Sequence, residues 1–111
     1  MQWFAVTALA ALVLVAPVRV ARADDPSFSL ALKEHHFTPA ELTIPANIRV
    51  RFVVKNLDAT PAEFESDQFR AEKILPAGQE VSFTIGPLKP GTYEFHDEYH
   101  EDESKSRLIV K

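Results

Sequence analysis

From residue 24 onward the chain alternates apolar and polar positions with a period of two, the mark of strands that bury one face. In "IRVRFVVKN", Ile48, Val50, Phe52 and Val54 fall on one side, and Arg49, Arg51, Val53 and Lys55 on the other. "FSLALK" (28–33) and "EVSFTIG" (80–86) alternate in the same way. "AEFES" (62–66) reads as a short strand, and "TYEFHD" and "SRLIVK" as the last two. "HHFTPAELTIPAN" carries two prolines and reads as a loop leading into a short strand over 41–44. Asp58–Pro61, "PAGQ" and "PLKPG" are turns. Phe69–Leu75 is ambiguous and reads as one helical turn. The pattern predicts an all-β fold, an antiparallel sandwich or barrel of seven to eight strands, and no helical stripe of useful length.

The first residues break this pattern. "WFAVTALAALVLVAPV" (3–18) is continuously apolar, and "ARA" (21–23) places small residues where a signal peptidase cuts. That arrangement predicts an export signal over 1–23, one domain over 24–111, and a periplasmic or extracellular protein, the alternative being an uncleaved membrane anchor. The run is short for a membrane span, which needs about 20 apolar residues.

Charge then narrows the partners. All sixteen acids lie in 24–111, while Arg19 and Arg22 lie before it, so the domain is strongly acidic. This argues against nucleic acid and anionic lipid as partners, and suits a protein that meets cations. The chain has no Cys, which excludes a disulfide framework, a thiolate metal site and a Cys nucleophile. No serine sits in an elbow motif, and no glycine-rich loop is present to cradle phosphate.

Candidate chemistry gathers near the C-terminus, in "YEFHDEYHEDES". If Tyr93 and Phe95 face the core, the period of two turns Asp97 inward and Glu94 and His96 outward. An inward carboxylate at a strand end is costly unless it is paired or bound to a metal. His100 follows three residues later and Glu103 three after that, so Asp97, His100 and Glu103 can turn toward one point. The alternative is a hydrogen-bonded Asp97–His100 pair closing the strand end. Glu63 and Glu65 flank Phe64 and share a face, either as further ligands or as solvated acids. His96, Glu98, Glu101 and Asp102 form an acidic rim, able to gather cations or to make a second, transient site. His35 and His36 are either a Cu(II) or Zn(II) pair or a polar loop. Carboxylate with imidazole suits Fe(II), Fe(III), Mn(II), Zn(II) and Cu(II), and is poor for Cu(I).

"FTPAELTIPANIRVRFVVKN" (37–56), "NLDATPAEFE" (56–65) and "GTYEFHDEYHEDE" (91–103) together resemble the cupredoxin family over nearly all of 28–111, which implies an all-β Greek-key β-sandwich of seven to eight strands. In the family's closing motif the Cys place holds Asp97, the downstream His place holds His100, and the axial Met place is nearest Glu103. The upstream His place falls at Ala62, flanked by Glu63 and Glu65, and Asn47 stands where a turn Gly is usual. Blue-copper chemistry needs a thiolate, so an ordinary blue-copper carrier is excluded. "ATPAEFES" and "LPAG…IGPLKPGTYEF" are similar to the Cys-less variant associated with bacterial periplasmic iron uptake, the EfeO-type domain and its small stand-alone relatives. That resemblance implies copper and/or iron as cofactor or cargo, copper-assisted oxidation of Fe(II), and transfer of ferric iron to a membrane permease and its periplasmic partners. The alternative is a non-redox module, such as a copper or zinc buffer or a permease-interaction partner.

Overall fold

The computed structural model describes residues 2–5, 10, 11 and 25–111. Most of the expected export signal, including "ARA", lies outside the described residues. Within 25–111 the chain forms β1 (Ser27–Lys33), β2 (His36–Thr38), β3 (Glu41–Ile44), β4 (Val50–Asn56), β5 (Ala62–Ser66), β6 (Ala71–Leu75), β7 (Glu80–Ile85), β8 (Gly91–Asp97) and β9 (Ser106–Val110). A 3₁₀ turn (Glu98–His100) and the short helix α1 (Glu101–Ser104) separate β8 from β9.

The strands make two sheets, ordered β2-β1-β4-β7 and β3-β9-β8-β5-β6. The fold is the expected cupredoxin-like sandwich, with three differences from the sequence reading. Two neighbouring pairs, β1–β4 and β3–β9, run parallel. His36–Thr38 is a short strand, pairing back onto β1 through a two-residue hairpin at Glu34 and His35. Ala71–Leu75 is a strand, not a helical turn: it pairs with all of β5, burying Ala71 and Leu75 at its ends. The three exposed residues between them gave no period-two signal.

The core lies between the sheets. Phe52, Phe64, Phe95, Leu32, Leu75 and Leu108 are fully buried, each contributing about 1.5–3 kcal/mol by leaving water. Phe64 stacks on Phe95 with ring centroids 5.1 Å apart, and Phe37 meets Phe95 edge-on at 5.3 Å. Alternation holds in β4 for Val50, Phe52 and Val54, but Ile48 precedes the strand and is exposed. Asn47 takes the left-handed conformation expected of it, at φ 63°.

Phe64 and Phe95 decide where the chemistry goes. β5 and β8 pair with Phe64 opposite Asp97 and Glu65 opposite His96. Anchoring the phenyl rings inside puts Asp97 on the inner face and Glu65 with His96 on the outer one.

Candidate metal centre

Asp97 is the last residue of β8 and is completely buried. Its Oδ1 accepts the backbone N–H of Glu63 at 3.0 Å and of Tyr99 at 3.1 Å. Its Oδ2 lies 3.1 Å from His100 Nδ1. One carboxylate therefore ties β5 to β8, caps the 3₁₀ turn, and still presents an oxygen to an imidazole. The backbone N–H of Asp97 donates to Ser104 Oγ at 2.6 Å, and that hydroxyl donates to the carbonyl of His100 at 2.7 Å. Ser104 thus folds the 98–104 segment back on the strand end and fixes where His100 points.

A second imidazole joins from the other sheet. The His35 ring stacks on His100, with centroids 3.5 Å apart and planes 16° from parallel. His35 occupies the tip of the β1–β2 hairpin, where Glu34 and His35 both have positive φ, 50° and 63°. Such a turn usually takes Asn-Gly because side chains resist this conformation. Here Asp58 supports it: Oδ1 accepts the N–H of Glu34 at 2.6 Å and Oδ2 that of His35 at 3.1 Å. Asp58 Oδ2 also lies 3.7 Å from His35 Nδ1. Asn56, buried and bonded to the carbonyls of Thr60 and Leu75, accepts the N–H of Asp58 and positions it in turn. Burial pushes the Asp58 carboxyl up, but the two backbone donors and the nearby His35 and His100 imidazoles outweigh this and hold it below the usual carboxylate value.

His35, Asp97 and His100 can each offer a donor atom within 4.8 Å of the others. The set is two imidazoles and one carboxylate, with a buried anion as its anchor. It fits Cu(II), Zn(II) or Fe(II) and lacks the thiolate that a blue-copper centre requires. Of Asp97, His100, Glu103, Glu63 and Glu65, the structure brings Asp97 and His100 together at this centre and leaves the three glutamates outside it. Glu103 is exposed on α1, because Ser104 is the residue that turns back to Asp97. Glu63 reaches Asp97 only through its backbone N–H. Its carboxyl is pushed up by partial burial and by the charges of Glu72, Glu98 and Asp97. Glu65 lies on the opposite face of the sheet from Asp97. Ala62, at the expected upstream His place, is buried in the core, and the structure supplies the second imidazole from His35 instead. The His35–His36 pair was the sequence signal for it, but the pair splits: His36 is exposed on β2.

On the outer face, Glu65, His96 and Glu98 converge separately. A hydrogen bond shared with Glu98, then burial and the charges of Glu98, Asp67 and Glu63, push Glu65 up to about 7. The same contact with Glu65 and one from His96 hold Glu98 below the ordinary carboxylate value. The two carboxyls titrate as a pair.

Comparison with known proteins agrees with this architecture. Among solved structures, the metal-binding domain of the Streptococcus pneumoniae D39 Cu(I)-exporting P-type ATPase CopA superposes with TM-score 0.67 at 13% identity, covering 77% of this chain and 84% of that one. Auracyanin A, a "blue" copper protein from Chloroflexus aurantiacus, superposes with TM-score 0.66 at 18% identity, covering 77% and 98%. These likenesses speak to the fold. An uncharacterized protein of Rickettsia prowazekii (strain Madrid E) is 33% identical over 81 residues, covering 73% of this chain and 65% of that protein; the match thus spans a little under two thirds of the relative's length. The family model described as a cupredoxin-like domain matches residues 5–110, and the chain therefore belongs to the cupredoxin-like domain family.

Proposed function

We propose that this protein is a periplasmic metal-binding cupredoxin-like protein that holds copper, as Cu(II), at His35, Asp97 and His100, and that it serves Fe(II) oxidation in ferrous iron uptake. The observation that carries the metal site is the convergence of two imidazoles and a buried carboxylate within 4.8 Å. Copper is favoured over other borderline ions because solved neighbours of the same fold are described as copper proteins. Bound copper would supply one-electron redox chemistry. Asp97 Oδ2 and His100 Nδ1 face each other at 3.1 Å; a cation held by both would satisfy both groups. Asp58 holds His35 in place before any ion arrives, so less ordering is needed on binding.

The iron-uptake part rests on the resemblance of "ATPAEFES" and "IGPLKPGTYEF" to Cys-less domains of iron-uptake systems, with export, transfer of ferric iron and a permease partner as its consequences. Carboxylate donors support it chemically, since anionic oxygens favour Fe(III) over Fe(II) and lower the iron potential. Calorimetric titration with Cu(II) tests the site: His35→Ala and His100→Ala should each weaken binding by about tenfold or more. Unchanged affinity in both removes the centre. Fe(II) oxidation in air, with and without one equivalent of copper, tests the role. Faster oxidation only with copper supports it, and uptake of copper without acceleration leaves a non-redox metal buffer.

A further inference from the structure

The outer face of β8, β5 and β6 gathers a second set of donors that the first centre does not use. Glu65 stands directly across from His96, and Glu98 follows at the start of the 3₁₀ turn. His96 Nε2 is 2.8 Å from Glu98 Oε2 and 3.9 Å from Glu65 Oε2. One donor atom from each of the three lies within 4.8 Å of the others. No side chain is shared with His35, Asp97 and His100, because His96 and Asp97 are consecutive on a strand and face opposite ways.

Two features mark the ionised cluster as short of a cation. Glu65 Oε2 is sealed from solvent and, among the described residues, is the buried side-chain oxygen to which no group of the protein donates; its one relief is to hold a proton against Glu98. Buried polar atoms are otherwise almost always paired, and this one is aimed at His96 and Glu98. On its other side Glu65 lies directly across from Glu72 on β6, and Glu63 projects from the same face of β5. Like charges directly opposed weaken a sheet. Among the described residues no Lys or Arg forms an ion pair with Glu63, Glu65, Glu72 or Glu98.

We propose that Glu65, His96 and Glu98 form a second cation site, which takes one hard or borderline divalent ion through two carboxylates and one imidazole. The ion gives the sealed Glu65 oxygen its missing partner and offsets the opposed charges along β5 and β6. Glu65 and His96 are mostly covered, at 22% and 13% exposure, while Glu98 is open at 45%. Two donors are thus held by packing while the third faces solvent, from which an ion can enter. Oxygen-rich donor sets of this kind suit Zn(II), Mn(II) and Fe(II).

Zn(II) is the appropriate probe because it has no redox chemistry to confuse the count. The full chain is titrated calorimetrically as wild type, as the Glu65→Gln/Glu98→Gln double variant and as the His35→Ala/His100→Ala double variant, each checked for fold by far-UV circular dichroism. Two equivalents bound by the wild type, with one lost in Glu65→Gln/Glu98→Gln, is the expected result. His96→Gln gives the same readout should the double variant fail to fold. Unaltered stoichiometry in these outer-face variants overturns the proposal, as does a single wild-type equivalent abolished by His35→Ala/His100→Ala. If His35→Ala/His100→Ala leaves the count at two while the outer-face variants lower it to one, the second site stands and the first centre is the reading that fails.

Discussion

Asp97 has a structural duty that can be separated from any metal. Replacing it with Ala removes Oδ1, which accepts the N–H of Glu63 and of Tyr99, and Oδ2, which faces His100. Hydrogen bonds to a charged acceptor are worth about 1.5–3 kcal/mol each. Both N–H groups are partly buried and regain some water, so the lower end applies, about 3 kcal/mol for the two. Losing the His100 contact adds about 1 kcal/mol, giving a cost of about 4 kcal/mol. For a domain of this size each kcal/mol moves Tm by about 4–8 °C, so Asp97→Ala should melt about 15–30 °C lower. Asp97→Asn keeps a carbonyl at Oδ1 and loses only the charge, a cost of about 1–2 kcal/mol. Thermal melts of the chelator-treated protein, followed by circular dichroism, measure both. A wide gap between Ala and Asn supports a strand-tying carboxylate. The reasoning is refuted if Ala and Asn melt together within a few degrees of the wild type.

Other outcomes follow from the same geometry. Ser104→Ala leaves the buried Asp97 N–H without its acceptor and should cost about 1–3 kcal/mol in urea unfolding; a loss below about 0.5 kcal/mol contradicts its role as the clasp on the 98–104 segment. Asp58→Ala unpins the positive-φ hairpin and should weaken Cu(II) binding by about tenfold while leaving far-UV spectra unchanged; unaltered affinity means His35 needs no support. Glu65 is a carboxyl raised in the folded state, so its contribution is present below its unfolded value and is lost as pH rises through about 7. Metal-free protein should therefore lose Tm as pH rises from about 4.5 to about 7, and Glu65→Gln should flatten that slope; an identical slope in the variant points to another group. Copper-loaded protein should show no intense blue thiolate band, since the chain has no Cys; such a band would contradict the ligand assignment.

Most of the fold could be read from alternation, and the exceptions have physical causes. β4, β7 and β8 carry a buried apolar stripe, so their faces and the inward turn of Asp97 followed from period two. β6 buries only its two ends, leaving Glu72, Lys73 and Ile74 exposed, so local pattern could not identify it; pairing with β5 makes it a strand. The parallel pairs β1–β4 and β3–β9 depend on connections that cross between sheets, which alternation within a strand does not encode. The candidate site divides the same way. His100 lies three residues from Asp97, a local relation visible in the sequence. His35 lies far away in sequence and meets His100 from a Glu34–His35 turn whose N–H groups donate to Asp58. Glu103 looked equivalent to His100 by spacing, but the helical path of 98–104 leaves it facing water. Glu65 was visible as an acid on an alternating strand, yet its partners His96 and Glu98 were set by the β5–β8 register.

The central claim is that His35 from one sheet and His100 from the other hold a single metal ion beside Asp97. Electron paramagnetic resonance of the full chain loaded with one equivalent of Cu(II) tests it most directly, because ligand nitrogens split the copper signal. Splitting from two imidazole nitrogens, reduced to one in His35→Ala and to one in His100→Ala, is the predicted result. A spectrum that both substitutions leave unchanged would place the copper elsewhere and contradict the account.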